Sequence, residues 1–399
     1  MEDPDLSALK CVHCGTEFGI SRGSYICPKC GGLFEVIHKA EEFTPDPGFR
    51  GVWKYRQLIH PSISRETIVT REEGDTHLYK SEKVSDWAGI KPLWLKHEGE
   101  NPTGSFKDRG MTVAISEAKR MGMQNTICAS TGNTSASAAS YSAIAGMKSY
   151  VLIPFGNVSE SKLAQAVSYG AEIIDVKGDF DSAMSFISSM AESNNRYYVL
   201  NSINPWRLEG QKSITFEIMR DLQDCDFISL PAGNLGNTSA AGKALRELKK
   251  LGIIDRIPRI VSVQAEGASP FYNLWSGKDS KLVPVKAKTI ASAIRIGNPV
   301  NWEKALISIK YTNGIVTTVS DDEIIEAKHT IDRSGIGCEP ASAASVAGIR
   351  KLVGEGMIDK TDNVACVLTG NILKDLISIP TESIHQSVAT FINEITGNN

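Results

Sequence analysis

What most restricts this chain is a rhythm that begins after Pro92. Short apolar runs rich in β-branched residues, at 126–129, 150–153, 173–176, 198–200, 227–230, 260–263 and 364–368, alternate with helical stretches. In 209–222 and 240–251 the apolar residues recur at three- and four-residue spacing, and an Ala-rich stretch, 135–144, runs up to Gly146, a good carboxyl-terminal cap. Strand, helix, strand in series means parallel strands joined by crossover helices, with helices on both faces of the sheet. The expected fold class is therefore α/β, two-lobed doubly wound parallel sheets, with the smaller lobe around 125–200. Such sheets bind ligands at the carboxyl ends of their strands, so chemistry is expected in the loops just after the apolar runs.

Composition narrows the class of function. With 399 residues, 41% of them hydrophobic, the chain can bury a large core in two or three domains. Lys and Arg number 43 against 46 Asp and Glu, a net charge of −3 with no long basic run, which argues against a nucleic-acid partner. No apolar stretch approaches the roughly eighteen residues that would span a bilayer, so no membrane partner is expected. Met1-Glu2-Asp3-Pro4-Asp5 lacks the basic-then-apolar order of a secretory signal, which points to a cytoplasmic protein. The Gly-x-Ser-x-Gly elbow and the His-Glu-x-x-His motif are absent and the seven His are dispersed, which disfavours a hydrolase. Three regions are expected: a cysteine-bearing segment 1–40, a connecting arm 41–90 that carries Pro45, Pro47 and Pro61 across the surface, and a catalytic region 91–399.

Four of the eight cysteines fall in the first thirty residues. Cys11-Val-His-Cys14-Gly and Cys27-Pro-Lys-Cys30-Gly-Gly are two C-x2-C pairs separated by twelve residues. Each pair aims two thiolates at one point, and two pairs complete a tetrahedral S4 site with no open position, a structural zinc in a zinc-ribbon-like segment. Reduced knuckles holding no metal are the alternative.

Four loops carry candidate chemistry. Lys107 lies in a turn bounded by Pro102, Gly104 and Gly110, ahead of a helix expected over about 111–121. Most lysines are solvated stems, but an aromatic neighbour, Phe106, and a nearby cation, Arg109, are what an imine-forming lysine needs, because desolvation and positive charge free the amine. Pro231-Ala232-Gly233-Asn234-Leu235-Gly236-Asn237-Thr238 follows an apolar run and opens a helix, so converging N–H groups and the helix N-terminus make it a phosphate cradle. It is not a P-loop, since Gly242-Lys243 is followed by Ala244; Gly335-Ile336-Gly337 has Pro340 where a third glycine would stand and is read as a turn. Ser130-Thr131-Gly132-Asn133-Thr134-Ser135 opens the Ala-rich helix and by itself reads equally well as an N-terminal cap. Leu368-Thr369-Gly370-Asn371 places a hydroxyl where the last strong run ends.

The string Asn-Pro-Thr-Gly-Ser-Phe-Lys-Asp-Arg-Gly at 101–110 resembles the pyridoxal-phosphate lysine motif of threonine synthases, within the tryptophan synthase β-like group. Asn-Ser-Ile-Asn-Pro-Trp-Arg-Leu-Glu-Gly-Gln-Lys at 201–212 is similar to the same family, and the likeness spans about 90–375. The resemblance implies the PLP type II fold, with pyridoxal 5'-phosphate on Lys107, its 3-hydroxyl bonded by Asn133, its phosphate held by Gly233, Asn234, Leu235, Gly236 and Asn237, and its pyridine nitrogen at Thr369. A neutral hydroxyl there makes the ring a weaker electron sink than a carboxylate would, favouring β- or γ-position chemistry over transamination. The resemblance also implies O-phosphohomoserine as substrate, its carboxylate at the loop of Ser130 and Thr131 and its phosphate held by Thr134, Asn201, Ser202 and Arg207, with water adding to give threonine in a homodimeric enzyme. Arg207 taken alone reads equally as a helix-start residue paired with Glu209. A cysteate synthase joining O-phosphoserine to sulfite is the nearest alternative, and a serine or threonine deaminase, which needs no second anion site, is more distant.

Overall fold

The computed structural model describes residues 6–21, 25–39, 42–155, 160–177, 187 and 196–375; the acidic residues 1–5 and the end of the expected 91–399 region lie outside them. β1 (Ser7–Cys11), β2 (Glu17–Phe18) and β3 (Phe34–His38) form a small antiparallel sheet in the order β2-β1-β3. β4 (Leu78–Lys80) and β5 (Leu93–His97) join β10 (Phe227–Pro231), β11 (Arg259–Ala265), β12 (Ile315–Val319) and β13 (Val364–Leu368) in a six-stranded sheet. β6 (Asn125–Ala129), β7 (Lys148–Pro154), β8 (Glu172–Val176) and β9 (Tyr197–Val199) form a separate four-stranded sheet. Both larger sheets are parallel apart from the antiparallel edge strand β4. All seven apolar runs of the sequence are strands of these two sheets, as an α/β chain of this pattern requires.

The helices are α1 (Arg56–Ile59), α2 (Glu82–Ala88), α3 (Lys107–Arg120), α4 (Asn133–Ile144), α5 (Glu160–Ser168), α6 (Pro205–Asp221), α7 (Gly236–Lys250), α8 (Pro270–Trp275), α9 (Trp302–Tyr311), α10 (Asp321–Asp332) and α11 (Pro340–Gly354). The strand orders fix where a ligand can sit. In the small sheet, β8-β7-β6-β9, the chain leaves β6 in one direction and returns on its other side as β9. In the large sheet, β12-β11-β10-β13-β5-β4, it leaves β10 one way and returns as β13 on the other. Loops diverge at such switch points and open a crevice. The loops at these switch points follow β6, β9, β10 and β13, at Ser130, Asn201, Ala232 and Thr369, and the Lys107 loop follows β5.

The segment 41–90 is not the surface arm expected of it. Val52, Trp53, Leu58 and Ile59 are fully buried in the main core, β4 is a strand of the large sheet, and α2 packs against α10 and α11. Its prolines mark bends in a packed path, which composition alone does not distinguish from a linker. Helix α3 also starts four residues earlier than expected, at Lys107.

Helices α3 and α6 cross at two glycines. A Cβ on Gly210 would lie 1.7 Å from the Arg109 carbonyl oxygen, and one on Gly110 would lie 2.6 Å from that of Arg207. Beside this crossing is a fully buried charge network. The Arg109 guanidinium grips Glu98 (Nε to Oε2 2.5 Å) and Glu217 (Nη1 to Oε1 2.6 Å), while Lys96 Nζ lies 2.6 Å from Glu217 Oε2. Removing one member strands the others without compensation. Arg109→Met is expected to cost about 3–5 kcal/mol of stability, measured as a lowered midpoint of urea unfolding; a loss under about 1 kcal/mol would show that the network does not hold this region.

Candidate active site

The crevice between the two parallel sheets is a cleft of about 580 Å³, its open mouth included. Lys107, Asn133, Ser202, Arg207, Gly233, Asn234, Leu235, Gly236, Asn237 and Thr369 line it, together with Phe106, Gln211 and Glu339. Ser130, Thr131 and Thr134 sit half-buried at the entrance to α4, outside that ring. Asn201 departs further from its expected place. Its Oδ1 accepts from Ala129 N at 3.0 Å and its Nδ2 donates to Ala129 O at 2.9 Å, so the side chain clips the end of β6 to the loop after β9 rather than facing an anion in the cleft.

Backbone pairing sets the position of Lys107. Phe106 N donates to Thr369 O at 3.0 Å and Asn371 N donates to Gly104 O at 2.9 Å, so the lysine loop is zipped to the loop after β13. The Lys107 ammonium stands 4.2 Å from the centre of the Phe106 ring. Burial, then the Arg207 charge, pull its pKa down to about 7, with Glu339 opposing. The cation next to Lys107 is thus Arg207 and not Arg109, as the loop had suggested. Lys107 opens α3, and residues two apart on a helix point about 200° apart, which sends Arg109 to the Glu98 and Glu217 side.

Arg207 is 2% exposed. It does not pair with Glu209, whose carboxylate is bound to His38, Lys212 and Lys243. Its Nη1 donates to Leu200 O at 2.9 Å, and its Nε is a buried donor with no partner among the described residues. Burial lowers its pKa to about 10, which leaves it charged at neutral pH. Asn237 Nδ2, at the start of α7, is a second buried donor without a partner. Buried polar atoms are ordinarily satisfied, so two donors and, in Gln211 Oε1, one acceptor left unpartnered on residues that line one cleft mark it as a place for a polar ligand.

Helix ends reinforce that demand. α3, α4, α7 and α11 all begin at the cleft, and none has a side-chain cap on its first turn. Uncapped N–H groups and four positive dipole ends converge there, an environment suited to anions. In the α7 cradle Leu235 adopts a left-handed conformation (φ 63°), turning the chain into the helix.

Glu339 was not found from sequence. It precedes α11, is 2% exposed, and accepts from Asn133 Nδ2 at 2.8 Å and Thr369 Oγ1 at 3.2 Å. Burial pushes its carboxyl up, against the hydrogen bonds of Asn133 and Thr369 and the Lys107 charge. A Cβ at Gly370 would come within 2.5 Å of this carboxylate, so only glycine leaves it room. The available signal was an acidic residue directly before Pro340 at a helix start, in the turn after Gly337.

Because Arg207 lowers the Lys107 pKa, Arg207→Gln is expected to raise it. In cofactor-free protein, the pH midpoint for labelling Lys107 with an amine-directed reagent, read by peptide mass spectrometry, moves upward from about 7; an unmoved midpoint would remove Arg207 as a cause.

Residues 69–370 match the family model described as pyridoxal-phosphate dependent enzyme. A threonine synthase of Methanosarcina acetivorans is 46% identical over 376 residues, 92% of each chain. A threonine synthase of Methanocaldococcus jannaschii is 46% identical over 377 residues, again 92% of each. Among solved structures, threonine synthase from Escherichia coli aligns with a TM-score of 0.70 at 17% identity, over 98% of this chain and 100% of that one. Maize serine racemase aligns with a TM-score of 0.67 at 18% identity, over 86% and 98%. The two structural likenesses establish the shared fold. With a lysine, a cradle and two unsatisfied donors in one cleft, and with these sequence likenesses along nearly its whole length, the chain belongs to the pyridoxal-phosphate dependent enzymes, among their threonine synthases.

Proposed function

We propose that the chain converts O-phosphohomoserine and water to threonine and phosphate, as a carbon–oxygen lyase dependent on pyridoxal 5'-phosphate. The observation that carries this reading is one cleft with two anion-seeking places. The uncapped start of α7, with Gly233 to Asn237, suits the cofactor phosphate; the unpaired Arg207 Nε, beside Ser202, suits a phosphate on the substrate. The residues fit the cofactor in their donor chemistry too, with a desolvated Lys107 and the Asn133 amide and Thr369 hydroxyl held by Glu339.

When bound, the cofactor supplies an electron sink for the charge left on the substrate's α-carbon. Lys107, with its pKa lowered to about 7, is about half free amine at neutral pH, the form that takes the α-proton and holds it on Nζ. Arg207 and Ser202 bind and orient the phosphate leaving the γ-carbon, the arginine through a charge-assisted contact. Thr369 presents a neutral hydroxyl fixed by Glu339 and by Ser342, whose Oγ is 3.0 Å away. Ser130 and Thr131, at the entrance of α4, are assigned to the substrate carboxylate, and Thr134 to its phosphate. Lys107 also takes a proton from the β-carbon, the γ-carbon that has lost phosphate gains one, and water adding at the β-carbon, with a proton returned to the α-carbon, completes threonine. A homodimer, implied by the family likeness, is checked by sedimentation.

A structural zinc belongs to this reading. The Sγ atoms of Cys11, Cys14, Cys27 and Cys30 all lie within 4.8 Å of one another, with Cys11 to Cys30 at 3.5 Å and Cys14 to Cys27 at 3.8 Å. A tetrahedron of Zn–S bonds of about 2.3 Å places sulfurs about 3.8 Å apart, so the set fits the ion. With four protein ligands there is no open position, and the zinc would hold structure rather than perform chemistry.

Incubation with O-phosphohomoserine is expected to yield threonine and phosphate, while O-phosphoserine plus sulfite yields no cysteate; the reverse outcome would reassign the substrate. Lys107→Ala is expected to lose both turnover and the visible absorbance of lysine-bound cofactor, and a retained spectrum would remove Lys107 from its role. Metal analysis of the purified protein should find about one zinc per chain.

A further inference from the structure

Helix α9 begins against the amino-terminal knuckles. His13, between the first pair of cysteines, has its Nδ1 3.0 Å from Oε1 of Glu303, the second residue of α9. The next residue, Lys304, is 2% exposed, and its Nζ has no hydrogen-bond partner among the described residues. A buried ammonium without a partner is costly to keep, so what balances its charge matters. The charges whose field reaches it are, largest first, Glu35, Lys243, Glu209 and Cys11, of which Lys243 alone is positive and opposes the rest. Glu35 already pairs with Arg246 at 2.7 Å, and Glu209 with Lys212 and Lys243. Cys11 is left. A neutral thiol would give the ammonium nothing to balance, whereas four thiolates around a divalent ion carry a net charge of −2.

We propose that Lys304 is the buried counter-ion of a divalent metal held by Cys11, Cys14, Cys27 and Cys30, so that metal loading fastens helix α9 to the amino-terminal module. This rests on the metal reading of the four cysteines given above. The fastening reaches the cleft, because α9 is preceded by Asn301, whose Nδ2 donates to Ser202 O at 3.1 Å and whose carbonyl accepts from Ser239 Oγ of α7 at 3.4 Å.

The test uses the full-length protein and zinc alone as the probe. Zinc affinity is measured by chelator competition for wild type, Lys304→Met and Lys304→Arg, and thermal midpoints are measured with the metal present and after its removal. Lys304→Met is expected to bind zinc about ten- to a hundredfold more weakly, the usual range for groups behind metal ligands, with Lys304→Arg restoring most of the loss. In metal-free protein the Met variant should melt no lower than wild type, because an unpaired buried cation is gone. A merely structural lysine would give the opposite pattern: a lower metal-free midpoint and unchanged zinc affinity. If Lys304→Met does not fold, Lys304→Gln is judged by the same criteria. Wild-type zinc affinity in the charge-removing variant, with one zinc per chain in wild type, overturns the role of Lys304 alone; wild type that binds no zinc overturns the metal reading and this inference with it.

Discussion

The rest of the structure depends on the grip of Arg109 on Glu98 and Glu217, with Lys96 as the fourth member. Two cations and two carboxylates make the cluster neutral, which is what allows it to exist without water. Buried ion pairs are not strong evidence of net stability, since a well-packed apolar cluster often does as well; what they impose is one arrangement, because any slip leaves a charge unpaired. Here the arrangement joins β5, the turn after it, α3 and α6. At the same crossing, Gly110 and Gly210 let the two backbones meet without side chains between them. Lys107 lies one turn before Gly110 and Arg207 three residues before Gly210, so the crossing carries both to the same cleft. The ionic cluster and the Lys107–Arg207 pair are two sides of one helix contact.

That geometry explains the electrostatics of the cleft. Arg207 and four helix N-termini make it positive, which favours phosphates and at the same time discourages a protonated lysine. One positive field therefore suits both an anion and a neutral amine. Left unopposed, it would also favour adventitious anions throughout the cleft. Glu339 opposes it locally, and by taking hydrogen bonds from Asn133 of the small-sheet side and Thr369 of the large-sheet side it ties the two lobes together at the cleft.

Strand rhythm and loop chemistry were readable because both are local. A run such as 364–368 is apolar throughout, and the loop Gly233 to Asn237 follows its strand directly. Non-local pairing was not readable. Lys96 and His97 disguise β5 as a polar segment, yet Lys96 is fully buried because its partner, Glu217, arrives from far along the chain. Arg109 looked like the neighbour of Lys107 because sequence distance was taken for spatial distance; the early start of α3 turns it away. Asn201 looked like a free ligand because nothing in its own segment reveals that the Ala129 backbone takes both ends of its amide. Glu339 was passed over because its one local signal, an acidic residue before Pro340, says nothing of Asn133 and Thr369, which reach it from distant segments.

The amino-terminal module is placed where a structural metal would matter for catalysis without taking part in it. Its third strand lies along α6 and α7: Lys243 Nζ donates to both Val36 O and Glu209, Arg246 holds Glu35, and His38 Nε2 is 2.8 Å from Glu209 Oε2. Tyr25 accepts from Val199 N at 2.9 Å, and His13 meets Glu303. These contacts fall on α6, which carries Arg207, on α7, which begins in the cradle, on β9, which leads to Ser202, and on α9. A short antiparallel sheet of three strands has little core of its own. Its fixed shape must come from the cysteine cluster at one end and from the catalytic body along its side, and the contacts run both ways. The module therefore contacts four elements from outside the cleft, of which α6, α7 and β9 lead into it.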